Sequence, residues 1–112
     1  MVEKSSDILN RAAEVILERG HCKRKREDLQ GRVCLVGAVE VARHGHTAVV
    51  VRAASPYCDP ALPWLGRAVG FRTYNSTPGN DAAAWNDQAS TTEAMVLGAL
   101  HDAALLAKEA GD

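Results

Sequence analysis

The side chains with the most reactive chemistry in this chain are four histidines and three cysteines. His44 and His46 stand two apart and His21 adjoins Cys22, so each pair offers two donors to a metal ion. Structural zinc commonly takes four ligands that arrive as two close pairs, and neither spacing fits a recognised zinc pattern. A nucleophilic cysteine needs a neighbouring base. Cys34, His101 and Asn86 have the right types, yet nothing in their spacing brings them together. Cys34 sits among Val33, Leu35 and Ala38, where a cysteine behaves as a small hydrophobe. It is expected to be buried and inert. No glycine-rich phosphate loop follows a strand, and Asp81, Asp87 and Glu93 fall where helices start, complementing the helix dipole. No catalytic or metal-binding residue is assigned, and no cofactor is expected.

Two features point to binding. Lys23, Arg24, Lys25 and Arg26 are consecutive, a footprint that suits a phosphate backbone or a solvated loop neutralised by Glu27 and Asp28. All five aromatic residues (Tyr57, Trp64, Phe71, Tyr74 and Trp85) lie between 57 and 85, beside a polar loop over 72–80. They read as packing for that segment, with Tyr74 the one most open to a partner. Trp85, Asn86 and Asp87 read as a structural joint. The ring fills the core, and the two polar side chains bond main-chain groups at the turn before Ser90.

The elements that position these residues follow from periodicity. Ile8, Leu9, Ala12, Ala13, Val15, Ile16 and Leu17 form the apolar face of a helix that opens at Ser5 or Ser6 and stops at Gly20. The next stretch, 21–31, has no apolar stripe. It reads as a surface loop or a short β-hairpin within 21–33, turning at Gln30 and Gly31. Residues 32–44 are almost continuously apolar and predict a central helix packed on several sides, ending at Gly45. Gly37 costs a helix interior about 1 kcal/mol relative to alanine, so it marks a close approach by a neighbouring helix. Residues 47–54 read as a short helix, though their valine triplet is equally at home in a strand; a break is expected over 55–60, and a third packed helix over 61–69. Pro78-Gly79 marks a turn. A short helix then starts at Asp81, and Ser90 to Glu93 fits a capping box for a last helix over 91–110. In that helix Val96, Leu97, Leu100, Ala103, Ala104 and Ala107 face inward, and Gly98 suits close packing on the central helix. The prediction is an all-α bundle of four to five helices in one domain.

Three stretches carry a resemblance: ILNRAAEVILERG at the start, GRVCLVGAVEVA in the middle, and AAAWNDQASTTEAMVLGALHDAALLA near the end. Together they resemble a family of small helical proteins of actinobacteria and their phages, which share a cysteine followed by Gly-Ala and a Trp-Asn-Asp before the last helix. The similarity covers about two thirds of the chain and is weak between His46 and Arg72. Where that pattern has an aromatic residue after the first helix, this chain has His21. The resemblance implies a helical fold and brings no activity with it.

Composition narrows the function classes. With 112 residues, 46% hydrophobic and 24% charged, the chain has the make-up of a single folded domain. The start lacks the basic and apolar regions of a signal peptide, no stretch reaches the length of a membrane span, and three cysteines are no disulfide framework; a cytoplasmic protein is expected. The formal net charge is -1, and 12 of the 13 lysines and arginines precede residue 73. That balance suits neither general nucleic-acid nor membrane binding. A protein-interaction module is therefore expected, with self-association open; the resemblance implies a phage product acting on a host factor as one form of it. A nucleic-acid binder using 23–26, or an enzyme or metal protein of unrecognised type, are the alternatives.

Overall fold

Five α-helices and one 3-10 turn account for most of the described residues: α1 (Ser5–Arg19), α2 (Leu35–His44), the turn Pro56–Cys58, α3 (Leu62–Val69), α4 (Pro78–Asp87) and α5 (Glu93–Glu109). The computed structural model describes residues 3–47, 56–71 and 78–112. The expected helix at 47–54 and Tyr74 lie outside them, apart from Thr47.

The first helix buries Ile8, Leu9, Ala12, Ala13 and Ile16 on the 3.6-residue stripe. Leu17, expected on that face, is instead 67% exposed, because the buried stripe is only wide enough for its neighbours. The serines do not cap the helix with their own side chains. Asp112 serves both orphan amides, its Oδ1 accepting from Ser5 N–H at 3.1 Å and its main-chain oxygen from Ser6 N–H at 2.8 Å. The same carboxylate accepts from Trp64 Nε1 at 2.9 Å, so one residue after α5 ties down both α1 and α3.

The central helix starts at Leu35 rather than Arg32. Val33 and Cys34 are held extended, with Val33 N–H donating to the Gly20 carbonyl, Cys22 N–H to the Val33 carbonyl and Cys34 N–H to the Arg26 carbonyl. Of the loop and the hairpin left open by the sequence, the structure has a loop, in which residue 33 makes two isolated bridges, parallel to His21 and antiparallel to Glu27. Cys34 is the N-cap, its sulfur accepting from Gly37 N–H at 3.3 Å. From Leu35 to Ala42 every residue is buried, as an almost continuously apolar run requires, and Gly45 ends the helix in the left-handed conformation.

Gly37 is needed for close approach, but by the connector backbone and not by a helix. A Cβ there would run into the Arg26 carbonyl. Gly79 plays the same part for α4, where a Cβ would meet the main chain of Tyr57. Pro78-Gly79 is thus the first turn of α4 and not a loop turn. Proline suits the opening position, which has no intrahelical partner for an N–H.

The last helix buries Val96, Ala99, Leu100, Ala103, Ala104 and Ala107 and packs mainly on α1 and α3. It does not lie along α2, and Gly98 faces open space. The N-cap is Thr92, whose hydroxyl accepts from Met95 N–H at 3.2 Å, two residues later than the capping box placed it. Thr91 is diverted because its hydroxyl donates to the Trp85 carbonyl at 2.7 Å. The fully buried large side chains are mostly aliphatic, whereas Tyr57, Trp64, Phe71 and Trp85 lie partly buried against them.

Two glycine substitutions should therefore have opposite signs. Gly37→Ala forces the connector off α2 and is expected to lose about 2 kcal/mol or more. Gly98→Ala adds helix propensity with no clash and should gain about 0.5 to 1 kcal/mol. Urea unfolding of both variants checks the pair.

Candidate interaction surface

The chain between α1 and α2 has little apolar surface of its own, so side chains elsewhere must hold it in place. Asn86, on the last turn of α4, does most of this and is 0% exposed. Its Oδ1 accepts from Leu35 N–H at 3.0 Å and lies 2.7 Å from His21 Nε2. Its Nδ2 donates to the Cys22 carbonyl at 3.2 Å and to Asp87 Oδ1 at 3.1 Å. All four hydrogen-bonding positions of the carboxamide are filled. With the Leu35 amide fixing which end is oxygen, His21 must carry its proton on Nε2 and donate.

The grip continues along α4. Asp87 Oδ1 also accepts from Arg24 N–H at 2.8 Å, with Arg24 in the left-handed conformation at φ 68. The Lys23 ammonium donates to the Gln88 carbonyl. These bonds reach more than sixty residues back along the chain; the sequence had placed Asn86 and Asp87 at the local turn before Ser90.

Three further anchors act within the connector. Arg26 turns inward and sends Nη1 to both Glu40 carboxylate oxygens, at 3.1 and 3.0 Å. Glu40 is 3% exposed in the middle of α2, a position that a charge tolerates only with a partner. The Cys22 thiol is 3.3 Å from both the Lys25 and Arg32 carbonyls, and burial pushes its pKa up to about 11. Asp28 closes the tip, with Oδ1 accepting from the Gln30 and Arg32 amides and Oδ2 from Arg32 Nε at 2.6 Å. Desolvation raises the Asp28 pKa, but Arg32 and these amides together hold it below its ordinary value.

An open cleft of about 480 Å³ results, with His21, Lys23, Lys25, Leu29, Gln30 and Arg32 on its walls. Leu29 is 95% exposed on the rim. The basic run is thereby divided. Lys23 and Arg26 are engaged by Gln88 and Glu40, while the side chains of Arg24 and Lys25 meet no partner among the described residues. Gln30 and Gly31 do form the expected turn. Leu29 was not singled out, and His21 was weighed only as a metal donor beside Cys22; the only local signal was Asp28 with amides two and four residues on, the pattern of an Asx turn.

The cysteine and histidine groupings do not assemble as chemistry. His101 is exposed, and the histidine that meets Asn86 is His21. Burial raises the Cys34 pKa, away from thiolate character, though the Gly37 and Val36 amides oppose this in part. Among the described residues no group of three or more histidine, cysteine or carboxylate side chains is placed to hold a metal ion. Trp85 is partly buried with its ring 6.2 Å from Phe71, and joins the aromatic segment to the core.

Fold and site together define a small all-α protein with an ordered polar connector gripped by the end of one helix. The chain belongs to the family of unknown function DUF6197, whose sequence profile matches residues 1–106. No curated protein and no solved structure matches the chain.

Asn86→Ala would leave the Leu35 N–H and Cys22 carbonyl buried without partners and should cost about 3 kcal/mol or more. That exceeds the loss expected for Trp85→Ala, whose ring is already partly in water; thermal melts of the two variants give the order. Native protein should present one fast-reacting thiol, the exposed Cys58, and three after denaturation. Rapid modification of Cys34 in the native state would contradict its burial. Because the folded Cys22 pKa is raised from 9.0 to about 11, its contribution to stability is complete below 9 and is lost as pH rises through 11. Cys22→Ala should flatten the stability curve across that window.

Proposed function

We propose that this protein is an interaction module that contacts a partner protein through the connector 21–32. The observation that carries this reading is Leu29, an apolar side chain 95% exposed at the tip of a loop tied down by Asp28. A loop ordered before binding loses little entropy when a partner docks, so even a small apolar anchor on it contributes to affinity. The three free thiols, two of them buried, suit a reducing compartment, and no helix of the described residues is long and apolar enough to cross a membrane. The free thiols support the cytoplasmic location that we propose for it. The resemblance to small actinobacterial and phage proteins makes a host factor the partner to seek.

The nucleic-acid reading loses ground to the division of the basic run. Neutralising Arg26 would strand the buried Glu40 charge, so a variant lacking all four cations tests folding rather than binding.

Leu29→Ser is expected to leave the melting temperature unchanged and to weaken retention of the partner at least about tenfold, the scale of a lost anchor side chain. Quantitative capture with the two forms, together with sedimentation velocity of the purified protein, reads this and detects any self-association. Duplex DNA and RNA should show negligible binding at physiological salt. Salt-sensitive micromolar binding that disappears in Arg24→Gln/Lys25→Gln would replace the protein-interaction reading with a nucleic-acid one.

A further inference from the structure

We propose that the occupant of the 21–32 cleft is an acidic segment of a protein partner, with carboxylates facing Lys23 and Lys25 and an apolar side chain against Leu29. This rests on the interaction reading above and adds the chemistry of the partner.

The charge of the cleft carries the inference. Lys23, Lys25 and Arg32 stand on its walls against one carboxylate, Asp28, and Arg32 Nε already pairs with that carboxylate at 2.6 Å. Two ammonium groups remain unmatched by any anion among the described residues. Lys23 gives one of its three donors to the Gln88 carbonyl and keeps two, while the Lys25 ammonium makes no hydrogen bond or ion pair among the described residues. A carboxylate entering the cleft meets donors already in place, and uncompensated positive charge steers such a segment inward.

The apolar rim distinguishes a peptide from other anions. A nucleic acid draws affinity from many phosphate contacts at once. Here Arg26 is turned into Glu40, Arg32 is matched by Asp28 and Arg24 does not line the cleft, so only Lys23 and Lys25 offer free charge within it, fewer contacts than a nucleic acid draws on. A small inorganic anion would leave Leu29 in water. A segment in which carboxylates alternate with apolar side chains satisfies both walls. The cleft is small, so such a segment alone should bind weakly, in the manner of transient complexes.

The test is titration of isotope-labelled protein with a synthetic decapeptide of alternating glutamate and leucine, followed by amide chemical shifts. Shifts should be confined to 21–32 and the adjoining end of α4, and the affinity should fall about tenfold between low and physiological salt. Lys25→Glu and Leu29→Ser should each weaken binding severalfold at unchanged melting temperature, since both side chains are exposed. A peptide with lysine in place of glutamate should give no shifts.

Equal binding of the lysine peptide, salt-insensitive binding, or displacement by duplex DNA at lower concentration would overturn the acidic assignment. A glutamate–serine peptide that binds as well would overturn the role of Leu29. If binding to 21–32 persists without preference for acid, this inference fails and the interaction reading stands. If no peptide shifts 21–32 and no partner depends on Leu29, both fail.

Discussion

A single buried carboxamide sets the relation between the connector and the helices. Asn86 accepts at one end from the first amide of α2 and from His21, and donates at the other to the Cys22 carbonyl and Asp87. The connector cannot dock by hydrophobic burial, because between His21 and Arg32 it buries only Cys22 among its side chains. Its backbone polar groups must find partners wherever they leave water. Asn86 supplies one of these, to the Cys22 carbonyl, while also holding the Leu35 amide of α2, and Asp87 and Gln88 extend the contact to Arg24 and Lys23. An asparagine serves here because it combines donor and acceptor in one small planar group.

Charge pairs extend that arrangement into α2. Glu40 lies within eight consecutive buried residues and receives Arg26 from the connector. Near the other end, Arg43 meets Asp59 in a two-point contact at 2.6 and 3.0 Å, and Asp59 also caps the Ala61 amide before α3. Buried pairs of this kind add less net stability than their geometry suggests, yet separating either would leave a charge stranded. Their effect is to specify how each end of α2 meets its neighbours. Gly37 makes the first pairing sterically feasible, since only a residue without Cβ lets the Arg26 main chain lie against the helix.

An ordered polar loop presents a different surface from a mobile one. Asp28 closes the tip through three hydrogen bonds, and the Cys22 thiol lies beneath it between two carbonyls. The result is a fixed cleft with ammonium groups that no anion among the described residues matches and one exposed leucine, built from residues that in isolation read as solvated loop.

Much of the fold was legible in sequence because helix periodicity is a local property. The stripes of α1 and α5, the continuously apolar run of α2 and the glycine stops at Gly20 and Gly45 all predicted elements close to those observed. Cys34 as a buried residue and Trp85 as packing followed from the same local pattern. The misreadings have a common cause. Arg32 to Cys34 looked helical until the bridges to His21 and Glu27 claimed their amides, Pro78-Gly79 looked like a turn until the Tyr57 backbone gave that glycine a packing role, and Asn86 looked like a turn residue until its partners proved to lie 51 to 65 residues away. Nor could the run from Lys23 to Arg26 show which cations face inward, since that depends on Glu40 and Gln88. By itself the sequence determined which segments are helices and which faces they bury, because apolar burial depends on residue type and spacing. Only the tertiary structure decided which polar groups meet, because a hydrogen bond depends on the position of a partner distant in sequence.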